Sequence, residues 1–275
     1  MEKTKKQKWI VILIISIIVI IGAAIFLITY FSQKDLNGAQ LAPVVEETVK
    51  ETSEPTAAVT PSEKAPAEAW GHKTQELGER SPDFDELMKI NPDIYAWIYI
   101  PNTNVDYPVA RSTSDGDDSF YLEHNVYRQY QFSGTIYSEI KNQPDMHDRV
   151  TVMYGHNMLN GSMFATLHNF EDAAFFKENN TAFVLTKDKV FTYLIYSAYT
   201  FDDRHILNSY SLGDDEVFQE YLDSTLEPHS LDANVREGVK LTTNNKILTL
   251  STCASSGPID TRYLVQGVLI DESDR

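Results

Sequence analysis

A single cysteine, Cys253, ends the apolar run KILTLST (246–252), and an arginine, Arg262, follows nine residues later. The reactive form of cysteine is the thiolate, so Cys253 needs a partner that takes its proton. Arg262 cannot be that base, because its pKa lies above about 12, but it can donate hydrogen bonds to an oxyanion. The spacing therefore predicts a nucleophile beside an oxyanion donor, with an inert cysteine buried in a strand as the alternative.

Histidine is a common partner of a nucleophilic cysteine, and the chain contains seven. His156 differs from the others, because it directly follows the strand-like run RVTVMY (149–154) and lies between Gly155 and Gly161. This placement at a strand end makes it the candidate general acid and base. The other six are interpreted as surface or structural residues: His72, His124, His147, His168, His205 and His229.

Composition and motifs exclude several function classes. The formal net charge of −17 argues against nucleic-acid binding, since phosphate contacts require basic patches. The sequence has no HExxH, P-loop or GxGxxG pattern, so we expect neither a metal ion nor a nucleotide cofactor. With one cysteine, the chain cannot form an internal disulfide, and in an exported protein such a leftover thiol indicates reactivity or intermolecular pairing.

The candidate residues lie at the ends of strand-like segments. Eight runs are rich in β-branched and aromatic residues and are separated by turn signals. They cover residues 96–100, 105–110, 134–138, 149–155, 181–186, 189–200, 246–252 and 262–270. Eight strands in one domain predict a mainly β fold that closes, or nearly closes, into a barrel.

Helical segments interrupt the strands. A short helix is expected near 81–90, with Ser81 as its cap and Pro82 in the first helical position. Two more short helices are predicted at 162–170 and 172–180. The clearest helix, 213–228, lies within a connection of about 45 residues between two strands, and a connection of that length favours a role in shaping a groove over simple packing.

The N-terminal part has the composition of an anchored, exported protein. Residues 1–8 are basic, and residues 9–31 form an uncharged apolar run that would span roughly 35 Å as a helix. This predicts a single-pass anchor in the cell membrane with a cytoplasmic N-terminus; a cleaved signal peptide is the alternative. Residues 32–80 are predicted to be a disordered stalk, and residues 81–275 one extracellular domain.

Three stretches of the folded block together resemble class B sortases, which are cysteine transpeptidases of the Gram-positive cell surface. The stretches are TLSTC (249–253) with Arg262 nine residues on, YGHNM…GSMF (154–164) and WIYIPNTNVDYPV…FYLEHN (97–125). The resemblance covers about 83–270. It implies an eight-stranded sortase-type β-barrel with an N-terminal helix and a helix inserted in a long strand connection, preceded by one transmembrane helix.

The same resemblance implies a mechanism and partners. Cys253 would attack the carbonyl of a Thr-Gly bond in the C-terminal sorting signal of a secreted protein. His156 would act as general acid and then as general base, and Arg262 would stabilise the oxyanion or fix the acyl group. An amine of a peptidoglycan precursor, or a pilin Lys in a polymerising relative, would then resolve the thioester. No cofactor or metal is implied.

The resemblance alone assigns substrate contacts to Ser251, Leu122 and Asp118. The chain departs from the family pattern at two positions: Asp118 stands where Asn is frequent, and Ala254 stands where many members carry an acidic residue. Two other functions stay open at this point. One is a stalked barrel that binds partners without catalysis, with Cys253 as a packing residue. The other is a redox-sensing thiol, which gives Arg262 no role.

Overall fold

This computed structural model describes residues 77–78, 80–112, 117–255 and 260–275. The predicted basic N-terminus (1–8), the predicted anchor (9–31) and nearly all of the predicted stalk lie outside the described residues. Within the described part of the chain, no helix is long and apolar enough to cross a bilayer.

Eight β-strands close into a barrel, as the sequence predicts. The described residues contain nine strands, all of which except β7 belong to the barrel: β1 Ile94–Tyr99, β2 Asp106–Arg111, β3 Ile136–Ser138, β4 Val150–Tyr154, β5 Thr181–Leu185, β6 Lys189–Asp202, β7 Asn234–Val235, β8 Ile247–Cys253 and β9 Thr261–Asp274. The order around the barrel is β1, β2, β3, β4, β8, β9, β6 and β5, and β5 pairs with β1 to complete the circuit. Closure leaves the barrel strands without a free edge.

The ninth strand, β7, lies outside this circuit and pairs with β6. The sequence pattern missed it, because two residues are too few to show a period. The last strand is also longer than predicted: β9 extends beyond residue 270 to Asp274, since β6 pairs with it over its full length and Lys189 lies opposite Asp274.

Strand direction brings the candidate catalytic residues to one end of the barrel. β4 and β8 run parallel, with Tyr154 opposite Ser251. β8 and β9 run antiparallel, with Cys253 opposite Arg262. The last residues of β4 and β8 therefore lie next to the first residues of β9. We call this the cysteine end of the barrel, and the end where Lys189 faces Asp274 the opposite end.

Four α-helices and two 3₁₀ helices connect the strands. The α-helices are α1 Phe84–Ile90, α2 Ala173–Glu178, α3 Ile206–Ser209 and α4 Asp215–Leu226, and the 3₁₀ helices are Phe120–Leu122 and Ala165–Glu171. The sequence missed the two shortest, Phe120–Leu122 and α3. The predicted helix at 162–170 corresponds to the second 3₁₀ helix. This helix begins two residues after Met163, whose backbone has a positive φ of 58°.

The predicted cap of the first helix is wrong. The helix begins at Phe84, and the side chain of Asp83 accepts a 3.0 Å hydrogen bond from the backbone N–H of Glu86. A capping side chain must stand directly before the first helical residue, so Ser81 lies too early in the chain. Ser81 Oγ instead accepts a hydrogen bond from Arg275 Nη2 at 3.0 Å.

Apolar side chains fill the barrel and cover part of its outer surface. Met153 and Leu250 belong to the interior cluster. Three buried residues of α4 pack in a second cluster against the outer face of β4, β6 and β8: Phe218, Tyr221 and Leu222. Because β8 is covered on both faces, its first six residues are all buried instead of alternating between buried and exposed. The helix predicted at 213–228 thus packs on the barrel, and the groove is shaped by residues that precede it.

Candidate active site

Cys253 is the last residue of β8 and the first one in that strand to reach solvent. The six strand residues before it are buried, whereas Cys253 is exposed and has a free thiol. The buried run holds the end of the strand in place through core packing and the ladders to β4 and β9. The alternative of a cysteine buried in the strand is therefore wrong, because the side chain is exposed.

Arg262 lies directly opposite Cys253 in the antiparallel ladder. Directly opposed residues project from the same face of a sheet with Cβ atoms about 4.5–5.5 Å apart, so the thiol and the guanidinium are neighbours. Arg262 Nη1 donates to the carbonyl of Thr261 at 3.2 Å. A guanidinium has about five N–H donors, so this bond leaves donors for a substrate carbonyl or an oxyanion.

His156 enters the same region from the end of β4. Its Nε2 lies 2.9 Å from the carbonyl oxygen of Leu122, and its ring stacks on Phe132 with centroids 5.2 Å apart. A carbonyl oxygen can only accept, so Nε2 carries the hydrogen, and the neutral ring keeps its lone pair on Nδ1. A ring held in this way can exchange a proton at Nδ1 without changing the bond at Nε2.

The glycine before His156 allows the close approach of this loop to the barrel. A Cβ on Gly155 would lie 2.5 Å from Ile136 Cδ1 and 2.7 Å from Phe164 Cγ, both in the core. The Gly155 N–H also donates to the carbonyl of Ser251 at 3.1 Å, two residues before Cys253. The glycine in the sequence motif is therefore a steric requirement for joining the two catalytic segments.

A cleft of about 320 Å³ connects these side chains. It is lined by Cys253, His156 and Arg262 together with two of the predicted substrate contacts, Ser251 and Leu122. The third predicted contact, Asp118, is not among the lining residues. Its carboxylate accepts a 2.9 Å hydrogen bond from the backbone N–H of Ile140.

Comparison with known proteins identifies the family. The sortase domain family matches residues 98–270. Sortase B of Listeria monocytogenes is 31% identical over 197 residues, which cover 70% of this chain and 76% of that protein. The chain belongs to the sortase family. Sortase B of Staphylococcus aureus is 28% identical over 186 residues, covering 67% of this chain and 72% of that protein.

Solved structures agree with the class B assignment. The X-ray structure of Clostridium perfringens sortase B matches this sortase with a TM-score of 0.60 at 34% identity, covering 69% of this chain and all of that one. The predicted class B sortase, its eight-stranded barrel and its activity as a cysteine transpeptidase are thus confirmed. No group of three or more potential metal ligands occurs among the described residues of this sortase.

The buried Tyr137 and the partly buried Tyr154 form one wall of the sortase cleft. Tyr137 and Tyr154 stack with ring centroids 5.4 Å apart. Burial, and then the nearby carboxylate of Glu139, raise the pKa of both phenols well above the usual value near 10. Both hydroxyls therefore stay protonated at neutral pH, and this wall carries no phenolate that would repel a developing oxyanion.

Residues 201–206, which sequence reasoning did not assign to the site, form another wall of the cleft. His205, expected on the surface, lies 2.5 Å through Nε2 from Oε1 of the buried Glu139. This pair joins the wall to the barrel just after β3. His168, expected to be structural, approaches the carbonyl of Cys253 together with Asn157. Of these residues, Tyr154 and Asn157 could have been found from the sequence, because both lie in the YGHNM motif.

Proposed function

We propose that the protein is a membrane-anchored class B sortase that attaches secreted proteins to the cell wall. It cleaves a C-terminal sorting signal at a Thr-Gly bond through a Cys253 thioester and transfers the acyl group to an amine of a peptidoglycan precursor. The observation that carries this proposal is the position of Cys253 directly opposite Arg262 in a cleft that His156 also lines.

The first half-reaction forms the acyl-enzyme. The Cys253 sulfur attacks the threonine carbonyl, so a C–S bond forms while the carbonyl electrons move to oxygen. Arg262 donates hydrogen bonds to that oxygen, which carries the developing negative charge. When the C–N bond breaks, protonated His156 gives its proton to the leaving glycine amine. The products are a thioester on Cys253 and a released C-terminal peptide.

The second half-reaction reverses these roles with another amine. The amine nitrogen attacks the thioester carbonyl, and neutral His156 takes its proton. The C–S bond then breaks and returns the sulfur of Cys253 as thiolate. The cleft is open to solvent and lined on one side by uncharged phenols, which suits the entry of a neutral amine. Competition between this amine and water decides between transfer and hydrolysis.

The membrane location and the acceptor rest on the sequence. The apolar run 9–31 supports the anchor and the lysines of 1–8 support a cytoplasmic N-terminus. The acceptor is proposed as a wall-precursor amine because this is what the class B resemblance implies. A pilin lysine would use the same cleft and the same two bond changes.

The test uses the full chain in detergent with fluorogenic peptides that contain a Thr-Gly bond in varied contexts. Wild type should cleave at least one peptide and, with added triglycine, yield a product ligated at threonine. Cys253→Ala should abolish both reactions at unchanged Tm, whereas Ser273→Ala, exposed at the opposite end of the barrel, should retain them. Cleavage by Cys253→Ala, or scission at another bond, would contradict the proposal. A lysine-bearing peptide that outcompetes triglycine would favour pilin polymerisation.

A further inference from the structure

The backbone carbonyl of Cys253 accepts hydrogen bonds from two side chains that lie far from it in the sequence. His168 Nε2 lies 2.9 Å from the oxygen, and Asn157 Nδ2 lies 3.2 Å from it. We propose that His168 and Asn157 are positioning residues, which hold this carbonyl and thereby fix the direction of the nucleophilic side chain.

The two side chains replace a missing bond of the sheet. In a parallel ladder the hydrogen bonds are evenly spaced, and the N–H of Gly155 donates to the carbonyl of Ser251 at 3.1 Å. Two residues further along, the N–H of Asn157 would be next to donate, to Cys253. However, β4 has ended at Tyr154, and Asn157 instead forms an isolated bridge with Met163. The hydrogen bonds to the Cys253 carbonyl therefore come from side chains and not from a backbone N–H.

His168 is itself held in one orientation. Its Nδ1 lies 2.6 Å from Oε1 of Glu171 and its Nε2 lies 2.9 Å from the Cys253 carbonyl oxygen, so the ring is held at both nitrogens. The ring also lies against Tyr263, with centroids 4.8 Å apart, and the side chain is only 11% exposed. Asn157 Nδ2 lies 3.0 Å from His168 Nε2 and 3.2 Å from the Cys253 carbonyl oxygen, so the two side chains meet at this carbonyl.

Fixing this carbonyl fixes the thiol. On the other side of the same peptide group, the N–H of Ala254 donates to the carbonyl of Thr261 at 3.2 Å. The peptide after Cys253 is thus held from both sides, and it sets where the sulfur points relative to Arg262 and His156. If one side is released, the sulfur can move, and a displacement of about 1 Å can slow an enzymatic reaction by about 100-fold.

The first test compares three variants of the full chain. His168→Leu removes the ring nitrogens that contact the Cys253 carbonyl and Glu171, and His168→Gln keeps an amide N–H donor of similar reach. His147→Leu is the matched control, because His147 also pairs with a glutamate, Glu272 at 3.2 Å, and also packs on a ring, Phe191, at the opposite end. His168→Leu should lower kcat for peptide cleavage by about 10-fold to 100-fold, with KM changed by less than about 2-fold.

His168→Gln should recover most of that kcat, and His147→Leu should leave it unchanged. A recovery of kcat in His168→Gln would show that His168 acts as a hydrogen-bond donor and not only as a packing residue. The proposal is overturned if His168→Leu cleaves at the wild-type rate, or if His168→Gln is as slow as His168→Leu at unchanged Tm. If His168→Leu does not fold, Asn157→Ala takes its place, with a smaller expected loss of about 3-fold to 10-fold.

This inference rests on Cys253 being the nucleophile of the proposed function, so the second measurement needs no sorting signal. Alkylation of Cys253 by iodoacetamide should slow by about 3-fold to 10-fold in His168→Leu and not in His147→Leu. If wild type cleaves no Thr-Gly peptide but alkylation still depends on His168, the proposed substrate is wrong and the positioning role stands. If neither the alkylation rate nor kcat changes in His168→Leu, the positioning role is refuted while the proposed function stands.

Discussion

The two ends of the barrel use arginine in opposite ways. At the opposite end, Arg275 donates to Ser81 Oγ, to the carbonyl of Pro82 at 2.8 Å and to the carbonyl of Thr186 at 3.0 Å. At the cysteine end, Arg262 makes a hydrogen bond to the adjacent carbonyl of Thr261 and faces the cleft. The first arginine ties chain segments together, and the second keeps donors available for a substrate.

The two arginines stand at the two ends of one strand, β9: Arg262 is its second residue, and Arg275 directly follows its last. Its ladders to β6 and β8 fix the register everywhere, so the difference between the ends comes from what surrounds each charge. Where protein oxygens take up the donors, an arginine contributes to stability. Where the ladder stops and the arginine side chain borders the open cleft, the arginine can bind a transition state. Four variants test this separation.

The largest expected effect is at Arg262. Arg262→Ala should lower kcat/KM by about 100-fold to 1,000-fold at nearly unchanged Tm, because it removes the donors to the oxyanion. Arg262→Lys keeps the charge without the planar fork and should recover only part of this loss. Peptide-cleavage kinetics and a melting curve measure both. Wild-type kinetics in Arg262→Ala would show that Arg262 does not stabilise the oxyanion, which contradicts its functional role at the cysteine end.

A smaller effect is expected at Gly155. Gly155→Ala should destabilise the fold by about 1–3 kcal/mol, because its Cβ would overlap Ile136 and Phe164, and it should also displace the loop that carries His156. Gly213→Ala is the control, since a Cβ there meets no atom within 4 Å. Urea unfolding and kcat report the two effects. If Gly155→Ala and Gly213→Ala have the same free energy of unfolding and the same kcat, the close approach at Gly155 does not require a glycine.

At the opposite end, Arg275→Ala should reduce the free energy of unfolding by about 1–2 kcal/mol, because it removes charged hydrogen bonds to Ser81, Pro82 and Thr186. Its kcat and KM should match those of wild type. Chemical denaturation and peptide kinetics on the same preparation decide the matter. A fall in kcat at full stability would show that the two ends are not separate in function.

The smallest effect concerns alkaline pH at the cysteine end. The folded state holds Tyr154 in its neutral form, whereas the unfolded chain releases this proton near pH 10. Above that pH the unfolded state therefore binds fewer protons and stability falls. Between about pH 10 and 11, Tyr154→Phe should avoid about 1 kcal/mol of that fall. Urea denaturation at pH 9, 10 and 11 measures it, and parallel curves for the two proteins would contradict the raised pKa.

The sequence predicts the residues whose positions depend on local structure. A strand that ends in Cys253 and a next strand that begins at Arg262 meet at one edge, because consecutive strands usually pair. His156 is found in the same way, since it follows a strand directly. The barrel itself follows from eight short β-rich runs. Each of these inferences needs only neighbouring residues and the period of a strand.

The remaining features depend on contacts between distant segments. His168 is 85 residues from Cys253 and meets it only because β4 stops at Tyr154 while β8 continues. The cleft wall at 201–206 shows no helical or strand period in its sequence. Its hydrogen bond to Glu139, made by His205, joins residues 66 positions apart. Asp118, assigned to the substrate by resemblance, bonds to the backbone of Ile140 instead of lining the cleft. Such contacts follow from the assembled barrel rather than from local sequence.

The bonds of Arg275 to Ser81 and Pro82 also have a mechanical consequence. They join the first residues of the folded block to the end of β9, and that strand rises about 3.3 Å per residue over its 14 residues before it reaches the cysteine end. A pull on the chain before Ser81 is therefore borne by Arg275 and α1, roughly 40 Å along the strand from Cys253. In the membrane-anchored enzyme that we propose, the cleft would therefore keep its geometry while the anchor is under tension.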